Sequence, residues 1–128
     1  MEFFRTIDRQ VSEDVIQKQI TPKSISEFAD TMLFIEGHDQ TFKGMTLWGE
    51  FSIGYYKIKG GVKFTLLDCP NALSWSITCG YPPEQDKIVV HCSINRKQIS
   101  EVFLIEINEF LDEWLEGLEI NFLKDDLA

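Results

Sequence analysis

Between residues 50 and 94 apolar and polar residues alternate so regularly that a half-buried sheet is the fold that accommodates them. In "LSWSITC", Leu73, Trp75, Ile77 and Cys79 alternate with Ser74, Ser76 and Thr78. Ile88, Val90, Cys92 and Ile94 repeat the pattern after the turn "GYPPEQD". A period of two puts one set of side chains on each face of a strand, whereas a helix would scatter them around its circumference. "GEFSIGYYKIKGGVKFTLLD" adds a hairpin. A three-residue loop, Lys59-Gly60-Gly61, would pair Ile58 with Val62, Tyr56 with Phe64 and Gly54 with Leu66, and would set Lys57 opposite Lys63. Gly61 would take the left-handed conformation that such loops need. The expectation is an antiparallel meander with Phe64, Leu66, Trp75, Ile77, Val90 and Cys92 buried.

Helical signals flank the meander. Ser24 with Glu27 reads as a capping box, and Ile25, Phe28, Ala29, Met32 and Leu33 follow the spacing of a half-buried helix. This predicts a helix over about 24–36 with Gly37 as its stop. Val11, Val15 and Ile16 suggest a short helix within 1–20. Residues 99–118 can be drawn as one amphipathic helix, but "VFLI" suits a buried strand. The expectation is a strand at about 101–107, Asn108 as N-cap, and an amphipathic helix at about 109–119. The whole is one α+β domain over residues 1–128, an antiparallel β-meander of about five strands with an N-terminal and a C-terminal helix.

Charge is unevenly distributed. The 128 residues carry a formal charge of −9. Residues 1–100 hold 12 acids and 11 bases; residues 101–128 hold nine acids and one base, Lys124. In "NEFLDEWLEGLE" (108–119), Glu109, Asp112, Glu113, Glu116 and Glu119 fall within an arc of roughly 120° on a helix, with Phe110, Leu111, Trp114, Leu115 and Leu118 opposite. Glu109–Glu113 and Asp112–Glu116 are like-charge pairs one turn apart, each unfavourable by about 0.2–0.5 kcal/mol. Such a field repels nucleic acid and anionic membranes and attracts basic partners. No apolar run approaches the ~18 residues that span a bilayer. No secretory signal is visible, and Cys69, Cys79 and Cys92 form no C-x-x-C pair. Reduced thiols and a cytoplasmic location are the expectation.

Catalytic signatures are missing. There is no G-x-S-x-G, G-x-G-x-x-G, P-loop or H-E-x-x-H motif. Glu36, His38 and Asp39 fall where a loop is expected. His91 and Cys92 are strand neighbours and point to opposite faces, so without a bulge they cannot share a metal or form a Cys–His pair. Cys69 has no evident base beside it. Lys57, Lys59 and Lys63 make a small basic cluster. No catalytic residue, metal or cofactor is expected.

A small acidic α+β domain ending in "IEINEFLDEWLEGLE" (105–119) resembles the immunity proteins of bacterial contact-dependent inhibition and related polymorphic toxin systems. The resemblance implies a non-enzymatic protein that binds one toxin domain, often a basic nuclease, and blocks its active site. The partner-binding residues would then be Glu109, Asp112, Glu113, Glu116 and Glu119. Two other classes stay open: a small-ligand-binding or enzymatic domain with its site near His38, Cys69 or His91, and an acidic interaction subunit such as a secretion chaperone.

Overall fold

A computed structural model describes residues 1–38, 40–80 and 86–127, with 123–127 as helical backbone. It has an α+β architecture. Among the described residues there are seven strands: β1 (Glu2–Ile7), β2 (Leu33–Gly37), β3 (Thr41–Thr46), β4 (Gly49–Ile58), β5 (Gly61–Leu66), β6 (Ser74–Cys79) and β7 (Ile88–Ser93). They form one antiparallel sheet in the order β1-β7-β6-β5-β4-β3-β2. Strands β2 to β7 are a continuous meander, and the N-terminal strand closes it against β7. Helices α1 (Glu13–Gln19) and α2 (Glu101–Leu127) cover one face.

Phe64, Leu66, Trp75, Ile77, Val90 and Cys92 are all buried, as alternation requires. The hairpin register differs from the expected one. Its loop has two residues, Lys59-Gly60, so Ile58 pairs with Gly61, Lys57 with Val62, Tyr56 with Lys63 and Tyr55 with Phe64. Gly60, not Gly61, takes positive φ, at 91°. The cause is α1. The Glu13 carboxylate accepts the Gly60 N–H at 2.9 Å, and Gln17 Nε2 donates to the carbonyls of Ile58 and Gly61 at 3.1 and 3.2 Å. The tighter turn sends Tyr55 inward, where its hydroxyl donates to the Ile20 carbonyl at 2.6 Å.

The helix expected over 24–36 is absent. A 3-10 helix covers Pro22–Glu27, and residues 33–37 become β2. The cap is Thr21, whose reciprocal partner is Ser24, with Pro22 at the first position. Ile25, Phe28, Ala29 and Met32 still point into the core, which explains their helix-like spacing. Leu33 instead pairs with Met45 on the open edge of the sheet, and Leu33 is exposed. The turn "GYPPEQD" falls largely on residues 81–85, outside the described residues.

The strand expected at 101–107 is also absent, because β1 already occupies the free edge of β7. Residues 101–107 are the first two turns of α2. Ser100 caps them, its hydroxyl accepting the Phe103 N–H at 3.1 Å. Asn108 is therefore an interior helix residue, and its Nδ2 donates to the Leu104 carbonyl at 3.0 Å. Ile107, Phe110, Leu111, Trp114, Leu118 and Phe122 form the buried stripe of α2. Trp114 lies against Phe28, Phe64 and Trp75, with ring centroids 6.1, 5.8 and 6.2 Å away.

Gly117 lets α2 come down onto the segment after the 3-10 helix. A Cβ there would overlap the Phe28 carbonyl group. Glycine-to-alanine in a helix normally stabilises by about 1 kcal/mol. Here Gly117→Ala is expected to destabilise by about 1–3 kcal/mol through overpacking, read as a lowered midpoint in denaturant unfolding.

Candidate functional site

The five carboxylates do share one side of α2, but they are not equivalent. Arg5 stands on the helix-covered face of β1, between Phe3 and Ile7 in the alternation. Its guanidinium reaches α2, donating from Nη2 to Asn108 Oδ1 at 2.6 Å and from Nε to Asp112 Oδ1 at 3.2 Å. Asp112 is thus half of an ion pair. Glu113 turns the other way and receives both the backbone N–H and the hydroxyl of Thr31. Two turns further on, Asn121 Nδ2 donates to the Glu27 carbonyl at 2.8 Å. Glu113, Gly117 and Asn121 therefore fasten the helix along residues 27–31. Glu109, Glu116 and Glu119 are exposed, and among the described residues no cation pairs with them.

Two features of this surface escaped the sequence. Glu27 and Asp30 join Glu113 and Glu116 around a narrow notch of about 70 Å³, with Gly117 and Ile120 in its wall. The exposed stripe is also not purely acidic. Val102, Ile105 and Ile120 lie 67%, 57% and 50% exposed on the same side as Glu109 and Glu116. The surface thus runs apolar, acidic, apolar along the helix. Residues 102 and 105 looked like core because they were placed in a strand; in one long helix their position opposite Ile107 and Phe110 faces them outward.

The other sequence candidates do not converge. His38 continues the β2–β3 turn, its backbone N–H donating to the Thr41 carbonyl at 2.9 Å. Glu36 is paired in β2 opposite Lys43, and Asp39 lies outside the described residues. His91 stacks on Phe4, with centroids 4.5 Å apart and planes at 13°, and its Nε2 lies 2.9 Å from Glu2 Oε1. Cys92 faces the core, so the pair is divided between faces. Cys69 is half-buried among Trp48, Phe51, Leu66 and Phe103. All three cysteines are free thiols. Among the described residues no group of three or more His, Cys, Asp or Glu could hold a metal ion. The basic cluster is split, since Lys57 and Lys63 alternate onto opposite faces and Lys59 sits in the turn. No helix of the described residues is long and apolar enough to cross a membrane.

No protein-family model matches the chain, and no curated protein matches it.

Burial pushes the Cys92 thiol up from 9.0 to about 12. The folded chain keeps this proton where the unfolded chain loses it. The associated stability is complete below about pH 9 and falls as pH rises towards about 12. Melting curves across this range should decline less steeply for Cys92→Ala than for the wild type. Equal slopes would show that the thiolate is accommodated in the fold.

Proposed function

We propose that this chain is a non-enzymatic inhibitor of the immunity type, which binds and neutralises a basic protein domain, such as a nuclease toxin, through the outward side of α2. The observation that carries the reading is the pattern on that side. Glu109, Glu116 and Glu119 present charge that no cation of the described residues offsets, and Val102, Ile105 and Ile120 flank it with exposed apolar surface. Apolar anchors beside charge of one sign are what a protein interface needs: the former supply buried area and the latter supply steering and register. A carboxylate-rich face can also occupy a cleft built to receive phosphates. Such an inhibitor works by occlusion and needs no catalytic group. Its setting in this reading is the cytoplasm, and nucleic acid and membranes are not its partners.

Asp112 and Glu113 belong to the internal scaffold as well as to the acidic arc. Reversing Asp112 would set a lysine against Arg5, so loss of binding in that variant would not separate contact from fold. The discriminating variant reverses Glu109, Glu116 and Glu119 to Lys. Titrated against the toxin domain that this reading assigns as its partner, the triple variant should bind at least about tenfold more weakly, a loss of about 1.4 kcal/mol. Its association rate should also lose the salt dependence that the wild type shows, because screening acts on the steering field. Its melting temperature should be unchanged or raised, since like-charge pairs are relieved. Unaltered affinity in a folded triple variant would refute the assignment of the interface to this face.

A further inference from the structure

The sheet face away from the helices holds a concavity of about 580 Å³. Its walls come from four strands that alternation turns outward together: Phe4 and Thr6 of β1, Val89 and His91 of β7, Ser76 and Thr78 of β6, and Ile58 of β4, with Lys59 at the turn. The central strand β5 contributes no side chain at its near end. Gly61 stands there between Ile58 and Thr78 in the register. A Cβ on Gly61 would collide with the backbone of Ile77 and Thr78, so the position is confined to glycine and the floor is bare.

Three observations give the groove a chemistry. Its volume and its apolar rim with a few hydroxyls fall within the range of small-molecule sites. One end is a preformed aromatic platform. Phe4 is 58% exposed, yet its ring is stacked flat on His91, which Glu2 holds in turn. An exposed ring fixed in place offers contact area at little further cost in side-chain entropy. The opposite end is cationic. Lys63 is the cross-strand partner of Ser76 on this same outward face, and Lys59 lines the wall. In a chain of net charge −9 a cationic end is a local exception. From β1 to β5 there are three strand spacings, about 14 Å.

We propose that this groove binds a small amphiphilic anion, an aromatic or aliphatic carboxylate or sulfonate. The apolar body lies across Phe4, Val89 and Ile58, and the anionic group points to the Lys63 end. Glu2, beside His91, sets the polarity by repelling the charged group from the aromatic end. The site is on the opposite side of the sheet from α2 and stands independently of the partner assigned to that helix.

The test is a fluorescence titration of the full chain with anilinonaphthalene sulfonate, compared with the neutral fluorophore phenylnaphthylamine. The sulfonate should bind saturably, one to one, and more tightly than the neutral probe. Phe4→Ser should weaken it about tenfold. Lys63→Gln should weaken it by about two- to fivefold, the worth of one exposed charge contact. Lys23→Gln, an exposed lysine of the 3-10 helix, should leave it unchanged. Lys63→Gln alters only an exposed side chain, so the comparison survives if Phe4→Ser fails to fold. Non-saturable binding, undiminished binding in folded Phe4→Ser, or equal effects of Lys63→Gln and Lys23→Gln would each overturn the site. Equal affinity for the two probes would overturn its preference for an anion.

Discussion

The packing of one aromatic edge of α2 across the sheet is the contact on which the remainder of the molecule depends. Phe64 and Trp75 stack at 5.2 Å on neighbouring strands, Phe110 meets Trp75 edge-on at 5.0 Å, and Trp114 joins them to Phe28. Among the described residues no element covers the other side of the sheet, so apolar burial is concentrated here. The indole N–H groups of Trp48, Trp75 and Trp114 are buried and meet no acceptor among the described residues. Each unmet donor costs about 1–3 kcal/mol. Truncating a buried tryptophan costs about 3–5 kcal/mol, so the large rings remain the better filling for this space despite their polar atoms.

The meander was legible because alternation has no other reading once four segments share it. Trp75, Ile77, Val90 and Cys92 could be assigned to the core without a partner in view. The N-terminal strand was not legible. "EFFRTI" alternates for only six residues, and its outward Phe4 breaks the apolar-in rule. The error at 101–107 came from "VFLI" itself, whose β-branched residues suit a buried strand. With β1 unseen, nothing showed that the edge of β7 was already occupied. Residues 24–36 failed for a different reason. Helical spacing over Ile25, Phe28, Ala29 and Met32 records which residues face the core, and a 3-10 helix followed by a turn satisfies the same requirement. The hairpin register depended on Glu13 and Gln17, more than forty residues away in the chain, which no local pattern encodes.

The acidic arc shows how composition and function become confused. Five carboxylates with no cation among their helix neighbours suggested a surface reserved for a partner. The cation for Asp112 comes from β1, and the donors for Glu113 come from Thr31. Neither could be found by inspecting residues three or four places away. Glu109, Glu116 and Glu119, which no cation among the described residues pairs, are the ones at which the fold gains nothing from the charge. It is at those positions that a functional explanation has something to explain, and Val102, Ile105 and Ile120 beside them sharpen it, since exposed β-branched residues confer no solubility.

In the proposed reading, the same anchors that complicate the acidic arc make it a better interface. Arg5 with Asn108 and Asp112 holds the first half of α2, and Glu113, Gly117 and Asn121 hold the second. The backbone that carries Glu109 and Glu116 is therefore fixed before any partner arrives. Binding then need not bear the ordering cost of a helix, which would otherwise reduce the affinity available from a modest patch. Steering also benefits, because charges on a rigid frame present a constant field to an approaching cationic surface, whereas charges on a mobile segment average it away. On the proposed function, the carboxylates given over to internal bonds are part of how the exposed ones would act: they hold the helix that presents them.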